Sequence, residues 1–217
     1  CLLQQSRSEP VNLAMRGVLY DLSQFDDCED ILKRFRKGAE IPYRYRDGVY
    51  GIPDTQSFYV MYYRKDILKQ MNVEVPETWD DFYNVLKKLQ KGGMQTSIGD
   101  TQLLYETFLL QNGGELYEAD LSSTKMTSEK SVTAFHEVTE FFTRWGVPVS
   151  ADALNRFRTG QIPMLISTAY FYNSLTISAT EIEGLWSMYP IPATVNNDGS
   201  SNRSESGKVS GAIAFKS

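Results

Sequence analysis

One histidine, His136, and two cysteines, Cys1 and Cys28, are the only imidazole and thiol side chains in this chain. A transition-metal site needs several convergent imidazole or thiolate ligands, and the two cysteines lack the spacing of such sites. A Ser-His-Asp or Cys-His set would rest on that single imidazole, and no motif accompanies it. No metal, no catalytic set and no cofactor is therefore expected. Pairing of Cys1 with Cys28 is left open. Long apolar runs are missing as well: no stretch approaches the ~18 to 20 residues of a membrane span, and no charged-then-apolar leader is present. Positive charge is in deficit, with 22 Lys and Arg against 27 Asp and Glu and a formal net charge of -5. That balance argues against a nucleic-acid surface. The densest basic run, Lys33 to Lys37, reads as the last turn of a helix, where cations offset the dipole.

What remains is the material of a soluble globular protein. Hydrophobic residues make up 41% and charged residues 23% of 217, enough for one large domain or two small lobes with a core. Strand and helix signals alternate. Cys1 to Gln5 reads as a short strand, and Pro10 opens a helix that runs through Met15 and stops at Gly17. Cys28, Ile31, Leu32 and Phe35 lie on one helical face, predicting an amphipathic helix that closes near Gly38. Asp47-Gly48 between Tyr45 and Tyr50 signals a hairpin. Thr78 caps a helix whose first turn is acidic and whose apolar face is Phe82, Val85, Leu86 and Leu89, which makes Trp79 structural. Thr96 to Gly99 is a short strand, and a helix from about Thr101 to Gln111 stops at Asn112-Gly113-Gly114.

Ser128 to Trp145 predicts the longest helix, with Ala134, Phe135, Val138, Phe141, Phe142 and Trp145 on its apolar stripe. A short helix over Asp152 to Arg158, a strand over Ile162 to Ser167 and a helix opening at Tyr170-Phe171-Tyr172-Asn173 come next. Leu185 to Tyr189 is a strand, Asn196 to Gly207 a polar mobile loop, and Val209 to Phe215 one more strand. The alternation implies an α/β architecture with mixed sheets rather than a sandwich or a bundle.

The stretch from Val49 to Asp66 organises the rest. Gly51 and Pro53 break one apolar run, the polar set Asp54, Thr55, Gln56 and Ser57 comes after them, and Phe58 to Tyr63 is an aromatic and β-branched run suited to a buried strand. The polar set has two readings. It is an ordinary Asx or Ser/Thr turn, which the local pattern favours, or a group of donors and acceptors presented to a polar, neutral ligand.

A resemblance shifts that balance. Asp47-Gly48-Val49-Tyr50-Gly51-Ile52-Pro53, the aromatic strand, Tyr62-Tyr63-Arg64-Lys65-Asp66-Ile67-Leu68 and Pro76-Glu77-Thr78-Trp79-Asp80-Asp81-Phe82 stand in the order found in family 1 extracellular solute-binding proteins of ABC importers. Asn112-Gly113-Gly114-Glu115-Leu116-Tyr117 and Phe157 to Ser167 continue the match, so the chain resembles that family along nearly its whole length. The resemblance implies a two-lobed periplasmic-binding-protein-like fold of the class II type, incomplete at both ends. It puts residues 1–98 in an N-terminal lobe, 99–188 in a C-terminal lobe and 189–217 in a return toward the first.

It also implies a sugar or oligosaccharide held in the inter-lobe cleft and delivered to ABC permease subunits in the membrane. The location implied is extracytoplasmic, either periplasmic or at the cell surface as a lipoprotein in the full-length form. Cys1 is not read as the lipid-bearing cysteine, because Leu2-Leu3 and the residues after them resemble the family's second strand. Ligand-facing positions fall on Thr55, Gln56 and Ser57, with Tyr59 just inward. Tyr170 stands where the family commonly has tryptophan, with Tyr172 near it. Arg7 and Asn12 come from the loop and first helix, and Tyr105 and Glu106 from the helix before Gly113. Each also reads as turn, core or surface; Tyr170 and Gln56 are the leading candidates.

Two rivals belong to other classes. A glycosidase needs two carboxylates about 5 to 9 Å apart across the scissile bond, and nothing pairs Asp54, Glu106 or Glu115. A sugar-sensing or interaction module of a larger protein would share every one of these features and differ only in what it is joined to.

Overall fold

The computed structural model describes residues 2–6, 9–118 and 123–216, so Cys1 lies outside it. In chain order the strands are β1 (Leu2–Ser6), β2 (Arg44–Tyr45), β3 (Gly48–Val49), β4 (Ile52–Ser57), β5 (Tyr59–Arg64), β6 (Thr96–Ile98), β7 (Met164–Thr168), β8 (Trp186–Tyr189), β9 (Thr194–Val195), β10 (Ser201–Asn202) and β11 (Lys208–Ala214). The helices are α1 (Glu9–Met15), α2 (Cys28–Leu32), α3 (Lys65–Gln70), α4 (Trp79–Lys91), α5 (Thr101–Gln111), α6 (Glu129–Thr143), α7 (Ala153–Arg158) and α8 (Phe171–Ser178). Packing divides the chain into two units, Cys1–Ser57 with Gly207–Ser217, and Phe58–Ser206.

The first unit is built on an antiparallel sheet of order β1-β11-β4. The polar set from Asp54 to Ser57 belongs to β4, so it is strand rather than the turn that local pattern favours: Thr55 pairs with Ser210, Gln56 with Val209 and Ser57 with Lys208. Long-range pairing with a segment some 150 residues away outweighs local turn chemistry here. Tyr43, Leu19, Val209 and Ile213 form the core. Gly211 admits no side chain, since a Cβ there would meet the Ile52 carbonyl and the Tyr43 ring. α2 ends at Leu32 rather than near Gly38, because Arg34 and Phe35 donate to Ile31 and Leu32 in tight turns. That turn carries Phe35 to the Tyr43 cluster, and Lys33 to Lys37 lie beyond the helix. Cys28 is a buried free thiol.

The second unit holds a sheet of order β6-β7-β5-β8, with β5 antiparallel to both neighbours and β6 parallel to β7. Strand alternation sorts its side chains to two faces. Met61, Met164 and Ile166 join Phe82, Leu86, Phe108 and Phe141 of α4, α5 and α6. Tyr62 and Leu165 join Phe157, Ile162, Leu175 and Ile182 on the side of α7 and α8. The expected boundaries at 98 and 188 cut through this sheet. The division falls instead after Ser57 and Ser206, because β5 is hydrogen-bonded to β7 on one edge and to β8 on the other.

Thr78 forms a full capping box with Asp81 at the start of α4. Trp79 then packs on Phe108, Phe82 and Phe141 at centroid distances of 4.7, 5.6 and 5.8 Å. In α6, Ala134, Val138 and Phe141 are buried, but Phe135 is 62% exposed, one position off the stripe. The Asn196-to-Gly207 stretch contains β10 and the turn that joins it to β9, and Asn202 donates to the Leu110 and Gln111 carbonyls. Gln111, fully buried, accepts from Trp79 Nε1 at 2.8 Å and from Thr194, and donates to the Pro192 carbonyl. Leaving such donors unmet costs about 1 to 3 kcal/mol. Gln111→Leu should therefore lower unfolding free energy by about that amount in urea titration, and a smaller loss would mean the network is dispensable.

Candidate functional site

The second unit carries an aromatic ledge. β7 ends at Thr168, Ala169 and Tyr170 form a turn, and α8 begins at Phe171. Tyr170 and Tyr172 are 50% and 44% exposed. Tyr172 meets Trp186 of β8 edge to face at 5.6 Å. A recess of about 380 Å³ opens beside this pair, lined by Tyr172, Leu175, Thr176, Glu183, Trp186 and Met188. Beneath it Tyr62 is fully buried. Burial pushes its phenol up to about 12, so the hydroxyl stays protonated at any working pH. Exposed aromatic faces beside polar groups suit the C–H faces and hydroxyls of a sugar.

The other second-unit candidates are not gathered there. Tyr59 is 4% exposed and packs inside the core with Trp79 and Met61. Tyr105 is bonded through its hydroxyl to Ser131 of α6, and Glu106 accepts from Gln102 one turn earlier. In the first unit, Thr55, Gln56 and Ser57 are consecutive on β4, so they alternate between faces. Gln56 is exposed, whereas Thr55 is half-buried and bonded to the Ser210 hydroxyl. Ser57 is 3% exposed and its hydroxyl has no partner among the described residues. Asn12 is exposed on α1, and Arg7 lies outside the described residues.

A second groove, of about 550 Å³, runs between α4 and α6. Its aromatic wall is already used: Tyr83 stacks on Trp145 at 4.5 Å, and Lys87 and Arg144 each sit 5.1 Å from the Trp145 centroid. Among the described residues no group of three or more His, Cys, Asp or Glu side chains is placed to hold a metal. Glu115, one of the three carboxylates weighed for hydrolysis, is paired with Lys125 at 2.7 Å.

The family model described as bacterial extracellular solute-binding protein matches residues 1–202. The chain belongs to that family. An arabinooligosaccharide-binding protein of Halalkalibacterium halodurans is 24% identical over 192 residues, covering 82% of this chain and 43% of that protein. Among solved structures, an ABC substrate-binding protein from Listeria monocytogenes in complex with cycloalternan superimposes with a TM-score of 0.79 at 23% identity, over 99% of this chain and 56% of that one. Maltose-bound T. maritima MalE3 gives 0.80 at 19% identity, over 99% and 57%. These structures share the fold of the solute-binding protein, which spans about half the length of the relatives it matches.

Sequence reasoning missed one ring at the ledge of this solute-binding protein, Trp186, and one buried behind it, Tyr62. Trp186 and Tyr62 were legible only as strand residues, since their roles depend on β8 and β5 lying side by side. It also missed Glu205, half-buried, whose carboxylate accepts the Tyr59 N–H at 3.0 Å. Desolvation raises its pKa above the ordinary 4.5, and the bond from Tyr59 only partly offsets this. The folded state thus holds the proton more tightly than the unfolded chain, and stability falls as pH rises from about 4.5 through the folded value. Glu205→Gln keeps an acceptor and removes the charge. Urea unfolding measured between pH 4 and 7.5 should show a shallower decline in the variant, and an unchanged slope would remove Glu205 as a cause.

Proposed function

We propose that the chain is the ligand-holding part of an extracytoplasmic solute-binding component of an ABC importer, one that binds a sugar or oligosaccharide unchanged and passes it to membrane permease subunits. The observation that carries this reading is the half-exposed Tyr172 ring set against Trp186 at the rim of the recess, with Tyr170 exposed two residues before it. Tyr172 and Trp186 also face the recess, and the ring surface they leave open there suits stacking on sugar faces. Family membership and the names of the relatives, which refer to arabinooligosaccharide, cycloalternan and maltose, support the ligand class. Thr55, Gln56, Ser57, Asn12, Arg7, Tyr105 and Glu106 remain proposed contacts, with Gln56 the most open of the β4 set. Tyr59 acts through packing. Among the described residues no helix is long and apolar enough to cross a membrane; attachment as a lipoprotein, or a periplasmic location, is part of the same proposal.

A thermal-shift screen of the whole protein against mono- and oligosaccharides tests the reading. A true ligand at a hundred times its dissociation constant adds about 2.7 kcal/mol of stability. Burying an aromatic face is worth roughly 1.5 to 3 kcal/mol, so Tyr170→Ala should weaken binding by about tenfold to a hundredfold. Because Tyr170 is half-exposed, the unliganded melting temperature should barely move. Chromophoric glycosides should release nothing. A large loss of unliganded stability with unchanged affinity would make Tyr170 a structural residue, and turnover abolished by Glu106→Gln would replace binding with hydrolysis.

A further inference from the structure

Helix α8 begins without a cap of its own. Ser, Thr, Asp or Asn usually stands at the N-cap, where a side-chain oxygen accepts an N–H of the first turn. Here the N-cap is Tyr170, and its side chain makes no capping bond. The acceptor comes from elsewhere in the unit. Tyr62 Oη accepts the Tyr172 N–H at 3.0 Å, a bond Tyr172 shares with the Ala169 carbonyl at 3.2 Å. The same hydroxyl donates its proton to the carbonyls of Thr168 and Ala169, at 3.1 and 3.2 Å. One buried oxygen therefore binds the end of β7, the turn and the first turn of α8.

The ring is equally fixed. It lies 5.1 Å from Phe171, edge to face, and 6.1 Å from Trp186, on a strand bonded along both edges. Phenylalanine would satisfy that packing. Burying a hydroxyl stabilises only when its bonds are made, and here they are all made to the segment that carries the exposed rings.

We propose that Tyr62 is a positioning residue for ligand binding: its hydroxyl caps α8 from β5, which frees the N-cap position for an outward-facing Tyr170 and sets the orientation of Tyr170 and Tyr172. The inference rests on the carbohydrate reading of the ledge and adds the residue through which that site is held. Sequence reasoning places an aromatic at 170 by resemblance; the cap supplied by another strand explains how the helix tolerates it.

The test uses Tyr62→Phe in the full chain, read by residue-resolved amide hydrogen exchange without ligand and by calorimetric titration with arabinotriose and maltotriose. Loss of a cap of ordinary strength corresponds to about a fivefold change in local opening. Exchange at Tyr172 should rise by about that factor while the Met61 and Ile166 amides keep their protection, and affinity should fall by a similar factor. Unchanged Tyr172 exchange in Tyr62→Phe would overturn the proposal, as would loss of protection across β5 and β7 together, or unchanged affinity for a sugar that the native chain binds. If the native chain binds neither sugar, the carbohydrate reading loses its support while the exchange results still decide whether Tyr62 caps α8.

Discussion

Strand β5 is hydrogen-bonded to β7 along one edge and to β8 along the other, and the second unit is organised by that double pairing. A central strand cannot shift register by one residue without exchanging its two faces. Met61 would then leave the Phe82, Phe108 and Phe141 core, and Tyr62 would leave the Phe157 and Leu175 core. The register is thus held by both layers at once. Trp186 and the Tyr170 turn inherit that rigidity: Trp186 is on a strand bonded to β5, and the turn comes directly after another strand bonded to β5.

Rigid backbone under exposed aromatic rings is a sound arrangement for binding. Ordering a mobile side chain on association costs free energy that a pre-set ring does not. The cost of exposing Tyr170 and Tyr172 is partly offset by the buried polar bonds that Tyr62 makes to the Thr168 and Ala169 carbonyls. Gln111 does comparable work on the opposite face, joining α4, α5 and the β9–β10 hairpin through bonds made by one amide.

Local features with a repeating physical cause were legible in the sequence. The Thr78 cap, the apolar face of α4 and the glycine stop of α1 arise from side-chain chemistry within a few residues, and the structure has them where the pattern puts them. Features set by distant pairing were not. The polar run at 54–57 looks like a turn because only Lys208 to Ser210 make it a strand. Phe35 looks like a helical residue until Tyr43 is there to receive it. Tyr59, expected just inward of the ligand-facing positions, packs in the Trp79 core, because the face of a strand residue depends on which sheet it joins. The unit boundaries were displaced for the same reason: order along the chain does not reveal which strands pair across it. The resemblance puts an aromatic at 170, whereas the packing of Tyr172 and Tyr62 on Trp186 required the sheet.

The central claim is that ligand is met at the Tyr170–Tyr172 turn in the second unit. Amide and aromatic-ring NMR spectra of labelled protein, recorded during titration with an oligosaccharide that raises its melting temperature, test this most directly. The account predicts saturable shift changes that include residues 168–173 and the Trp186 indole, while the Trp145 indole and the α4–α6 groove stay unchanged. Shifts confined to that groove, with the 168–173 segment and Trp186 silent at saturation, would contradict it.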